Sequence, residues 1–135
     1  MLFPVCAMVL LTMIVQFSLM RARVSAIKRA RVHPQAIAGS DEFDRVMKGT
    51  ENLSDHFENL FEMPVLFYLA AVVIATMQLA DAFYIVAAWF FVIGRVLHSL
   101  IHCTYNKIMH RFYAYFLTSI TVWVIWARLA YQLLR

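Results

Sequence analysis

Four stretches of the chain are apolar for long enough to cross a hydrocarbon layer: residues 1–20, about 60–80, 82–103 and 112–134. A membrane-spanning helix needs about 17–25 such residues. The runs are continuous rather than alternating, which predicts helices and not a barrel, because backbone groups in lipid must be satisfied within the segment. Between the first two runs lies a longer polar loop, about 21–56, that changes character midway. It opens on Arg21, Arg23, Lys28, Arg29 and Arg31, passes His33-Pro34 and Gly39-Ser40, and then carries Asp41, Glu42 and Asp44. Ser40 and Asp41 ahead of Phe43, Val46 and Met47 predict a helix start. With only Gly49 as a break, that helix is expected to lead straight into the second span, where Pro64 would kink it at the carbonyl of Leu60.

The remaining links are short. Residues 78–81, "QLAD", hold one acid and no base, whereas the link before the fourth span holds Lys107, His110 and Arg111. Basic loops stay on the cytoplasmic side, so both termini are expected outside. The expected architecture is an all-α membrane protein, one domain over 1–135, whose four transmembrane helices close as an antiparallel bundle.

Composition agrees with this pattern. The chain is 63% hydrophobic and 15% charged, against about 25% charged residues in a soluble domain. The N-terminus begins apolar without preceding positive charge, so it reads as a retained span and not as a cleaved signal. Cys6 and Cys103 lie in apolar segments and give no disulfide framework; both are expected to pack. No nucleic-acid motif occurs. The net charge of +4 reflects the cluster at 21–31, which suits anionic lipid headgroups and sets topology. Tyr84 and Tyr131 fit an interfacial belt, and Arg128 is placed to snorkel.

The chemistry lies in polar residues that lipid disfavours. Asp55, Asn59 and Glu62 share one helical face at the start of span two. Arg95, His98 and His102 share another on span three, and Arg111 and Tyr115 a third on span four. All three groups sit toward the same end of the bundle, so a polar pocket is expected there, with Glu62 and Arg95 as its ion pair. Fixing helix register would need one such pair, without His98, His102, Arg111 and Tyr115 beside it.

These residues resemble the MAPEG family, membrane-associated proteins in eicosanoid and glutathione metabolism. The matching elements are "NLFE" at 59–62 running into "PVLFY", "GRVLH" at 94–98, Arg111 followed by Tyr115, and "RAR" at 21–23. "FEMPVLFY" and "H..YN....R" look most like an uncharacterised bacterial branch, which implies a bacterial inner membrane. The resemblance implies a homotrimer with sites between subunits and glutathione as cosubstrate. It implies ligand binding by Asn59, Glu62, His98 and Tyr115, and thiolate stabilisation by Arg111; Arg21, from the fainter "RAR" element, and Arg95 and His102, from the polar face of span three, are expected to join them in binding the ligand. A guanidinium favours thiolate over thiol by opposite charge and hydrogen bonding.

Three readings therefore stand. The first is a thiol-dependent transferase or peroxidase acting on lipophilic electrophiles. The second is a non-catalytic scaffold or accessory subunit of a larger membrane complex. Asp55 and Glu58 motivate it, since they replace arginines of several glutathione-using members, and His102 replaces a tyrosine. Each anion near a ligand carboxylate would cost about 2–4 kcal/mol at 4–8 Å. The third is a metal or haem protein, using His98 and His102 at i, i+4 with Glu58 or Glu62. No second histidine deep in another span is expected to support it.

Overall fold

The computed structural model describes residues 1–33, 35, 41–104 and 107–134. Six α-helices follow one another among the described residues: α1 (Leu2–Ala30), α2 (Asp41–Val46), α3 (Glu51–Asn59), α4 (Met63–Thr76), α5 (Ala82–Cys103) and α6 (Ile108–Leu133). Four crossings are long and apolar enough for a membrane: α1, α3 with α4, α5, and α6. Phe3, Leu10, Val72, Val86, Phe90, Ile93 and Leu97 point outward from them, fully at odds with a water-facing surface.

α1 continues ten residues past the apolar run and stops at Arg31, which adopts a left-handed conformation (φ 54°). The charges at 21–30 mark where the helix leaves the apolar layer, not where it ends; nothing there breaks a helix. Lys28 and Arg29 instead favour its C-terminal turn through the helix dipole. The proposed cap Ser40, with Pro34 and Gly39, lies outside the described residues, as do Tyr105, Asn106 and Arg135; the helix expected there is described from Asp41.

The second crossing is not one kinked helix. It breaks over residues 60–62, and Pro64 sits in the first turn of α4, where its missing N–H would have no helical acceptor. Leu60 and Phe61 donate to the carbonyls of Phe57 (3.1 Å) and Glu58 (2.8 Å), tightening the end of α3. Leu60 is buried in the core with Met8, Phe67, Phe91 and Val122, which holds the break in place. Phe67 stacks on Phe91 with ring centroids 4.6 Å apart.

α5 and α6 form the closest pair. A Cβ on Gly94 would lie 2.4 Å from the Thr118 methyl group, so only glycine allows this approach. At the end opposite the basic loops, Asp81 caps α5 by accepting from the Tyr84 amide (3.1 Å). It also accepts both Arg128 amino groups, at 3.0 and 2.5 Å. The Arg128 guanidinium lies 4.4 and 4.6 Å from the Phe83 and Tyr84 ring centroids. It therefore locks α5 to α6 rather than snorkelling, because the carboxylate and two rings meet it at hand. Tyr84 is wholly buried and donates to Gln132 (2.5 Å), so only exposed Tyr131 fits the expected belt. Cys6 and Cys103 are free and exposed on outward helix faces, not packed in the core.

Candidate functional site

At the basic end, the break after α3 sets Asn59 and Glu62 against polar faces of α5 and α6. Arg95 is fully buried, and its guanidinium Nη2 donates to the main-chain carbonyl of Asn59. The break explains this contact, since a carbonyl near a helix end lacks its intrahelical donor. The same guanidinium lies 5.4 Å from the Tyr115 ring centroid and 5.9 Å from that of Phe91. Tyr115 donates its hydroxyl to Glu62 Oε2 at 2.9 Å.

Glu62 and Arg95 therefore do not form the ion pair expected between them. Exposed Glu62 instead accepts from the phenol of Tyr115, whose ring also meets the Arg95 guanidinium. Cation–π attraction offsets part of the cost of burying Arg95. His98 Nδ1 lies 3.2 Å from the Arg111 carbonyl oxygen. Because a carbonyl only accepts, Nδ1 carries the proton in this contact.

A cavity of about 270 Å³ opens here, lined by Asn59, His98, Ile108, Arg111, Phe112 and Tyr115. One side is polar; Ile108 and Phe112 make an apolar, outward-facing lip. Four residues singled out for chemistry thus share one wall system, with Glu62 joined through Tyr115 and Arg95 behind it. Asn59 turns its side-chain amide to the Asp55 carbonyl at 2.8 Å.

His102 is buried behind that wall and does not line the cavity. It packs in a cluster with His98 (centroids 5.7 Å) and with His56 (4.9 Å), and His56 also meets His98 at 5.5 Å. His56 closes the cluster from α3. Its Nε2 is 2.8 Å from Ser99 Oγ, whose own proton goes to the Arg95 carbonyl at 2.8 Å. A second deep histidine is thus present after all. Among the described residues, however, no group of three His, Cys, Asp or Glu side chains is arranged to hold a metal ion. His56 Nδ1, His98 Nε2, both His102 nitrogens and Arg95 Nε and Nη1 are buried without a hydrogen-bond partner among the described residues.

Arg21 is not at this cavity. About 100° of rotation per residue puts Arg21 and Arg23 on nearly opposite faces of α1. Arg23 faces inward, donating to Ser54 Oγ at 2.9 Å, while Arg21 is exposed on the outer face. The "RAR" element therefore reaches the bundle through Arg23. Sequence reasoning missed His56 because it stood as the last residue of a loop; its three-residue spacing from Asn59 was the available signal.

Neither the curated proteins nor the solved structures compared with this chain include a match. The family model described as MAPEG family matches residues 1–131. Joined to the four crossings, that match over nearly the whole length places this integral, multi-pass membrane protein in the MAPEG family.

Proposed function

We propose that the protein is a glutathione- or other thiol-dependent transferase or peroxidase acting on lipophilic electrophiles. The observation that carries this reading is the cavity in which Asn59, His98, Arg111 and Tyr115 meet an apolar lip. In it, Arg111 stabilises the thiolate by opposite charge, and Asn59 and His98 orient the ligand's main chain. Tyr115, held by Glu62, positions the site wall and keeps Arg95 behind it. An electrophile dissolved in the bilayer enters over Ile108 and Phe112. The sulfur then bonds to the electrophilic carbon while the leaving group departs with the bonding electron pair; the thiol proton goes to water. Residues that fit a thiol tripeptide are present, but Asp55 and Glu58 are exposed at the same end.

The cavity is open on one side, and a neighbouring copy in a homotrimer would complete it. The basic end then faces the cytoplasm of a bacterial inner membrane, with both termini outside. Isothermal titration of the purified protein with glutathione tests the reading: millimolar ligand should release heat, and silence rules out glutathione. The mass of the assembly, expected at three chains, tests the trimer.

A second reading, a non-catalytic scaffold in a larger membrane complex, has one observation in its favour. The Asn59 amide is committed to the Asp55 carbonyl. On that reading another membrane protein co-purifies with this one, and Glu62→Gln leaves the association intact.

A further inference from the structure

The cluster of His56, His98 and His102 lies inside the chain, and its partners fix where its protons are. Ser99 Oγ gives its one proton to the Arg95 carbonyl, so it accepts from His56 Nε2, and His56 Nδ1 is left with a lone pair. His98 donates through Nδ1 to the Arg111 carbonyl, which leaves Nε2 bare. His102 keeps one bare nitrogen in either neutral tautomer. These nitrogens are buried and unpartnered among the described residues, so no two rings are placed to share a proton.

A proton on His56 would meet cations from each helix packed around it. Arg95 of α5 and Arg111 of α6 both act on its ring, and Arg23 of α1 is bound to Ser54, two residues before it. Among the described residues, the carboxylate that acts on the cluster is Asp55, which reaches His102 from an exposed position. Glu62 acts on Arg95 and is engaged by Tyr115, whose ring lies 6.0 Å from that of His98. Of the elements that meet here, α3 is the short one, nine residues long and separated from α4 by the break at 60–62.

We propose that acid releases α3 from α5, with His56 as the group that responds. While its ring is uncharged, His56 seats α3 on Ser99. A proton on Nδ1 adds a second buried charge beside Arg95 and an N–H without an acceptor, and α3 relieves both by parting from α5 and letting water reach the ring. This device involves no ligand and does not depend on the thiol reading. Its direction is set by the released form. A histidine in water takes up its proton below an ordinary value of about 6.5, whereas the seated ring offers that proton neither an acceptor nor an anion. The seat therefore holds fully above that value and weakens as pH falls below it. At about pH 5.0, roughly 1.5 units lower, one titrating ring shifts the balance about thirtyfold.

Amide hydrogen exchange of the detergent-solubilised full chain tests this, read by mass spectrometry as protection factors, which remove the intrinsic pH dependence of exchange. Between about pH 7.5 and about pH 5.0, peptides from α3 should lose protection about thirtyfold. Peptides around Asp81 and Arg128, at the far end of α5 and α6, should keep theirs. Unchanged protection of α3 overturns the proposal, and an equal loss throughout overturns it in favour of global acid unfolding. His56→Gln keeps an N–H for Ser99 but takes up no proton, so its loss should stay below about threefold. A loss as large as in the native chain removes His56 from the response. His102→Leu should leave the native response in place; its disappearance there would move the device to His102 and overturn the assignment. The native chain alone supplies a further check, which needs no variant to fold. Its loss should begin near pH 6.5, and a loss confined to below about pH 4.5 belongs to carboxylates and overturns the proposal.

Discussion

The two ends of the α5–α6 pair handle charge in opposite ways. At one end Arg128 finds a bidentate carboxylate, two aromatic faces and a capped helix, and Tyr84 finds Gln132. At the other, Arg95 finds one carbonyl and two rings and keeps two nitrogens without acceptors, beside three histidines that hold four more. The first arrangement is complete within the chain and acts as a clasp. The second costs folding free energy, since a buried unpartnered polar group costs about 1–3 kcal/mol.

The largest separation between the two ends should come from Arg111→Ala. It should weaken thiol binding or turnover by about 100-fold or more, with the thermal midpoint little changed. Titration calorimetry and a melting curve on the same sample read both. A collapse of the fold with no specific loss of binding would place Arg111 with the clasp instead. Gly94→Ala sits between the two ends. Forcing α5 from Thr118 should destabilise by about 1–3 kcal/mol and disturb the His98–Arg111 contact, as read from detergent-phase unfolding.

His102→Leu sharpens the contrast in the other direction. Neither ring nitrogen has a partner, so an apolar replacement loses no hydrogen bond and should stabilise the fold by about 1 kcal/mol. A loss of stability would show that the cluster is satisfied in some other way. Asp81→Asn should give the smallest effect, because its pair with Arg128 is half exposed. The hydrogen bonds from Arg128, and then from the Tyr84 amide, hold the Asp81 carboxyl below its ordinary value of 3.8. A depressed carboxyl stabilises the fold above its unfolded value, and that contribution disappears as pH falls through the folded one. Melting curves of the native protein and Asp81→Asn should therefore differ at neutral pH and converge in acid below 3.8. A constant difference would remove the pair from the pH response.

Much of this was legible in the pattern of residues. The four crossings followed from run length, and Arg95, His98, Arg111 and Tyr115 from helical spacing within apolar runs. What was not legible depended on rotation and on chain breaks. α1 is apolar nearly all round, so its sequence could not say whether Arg21 or Arg23 turned inward; the Ser54 contact decides it. The break at 60–62 contains no glycine, and Asn59 just before it reads as a site residue as readily as a helix end. Pro64 suits a helix start as well as a kink, and only the position of the break tells the two apart. The expected Glu62–Arg95 pair failed for a related reason. Once the helix breaks, an orphan carbonyl competes for the guanidinium, and the phenol of Tyr115 takes the carboxylate.

That break also makes the second crossing two rods joined at a pivot. α4 is bound into the core through Phe67, Ala70 and Ile74, while α3 is a lever of nine residues, about 13 Å long. A 10° swing of α3 would move its far end by about 2 Å while Asn59, beside the pivot, stayed nearly still. His56, one turn from the pivot, would move against His98 and His102 before the cavity lip felt it. Two hydrogen bonds hold that lever, one from His56 to Ser99 of α5 and one from Arg23 of α1 to Ser54, so any swing of α3 is felt first at the rear wall and not at the mouth of the cavity.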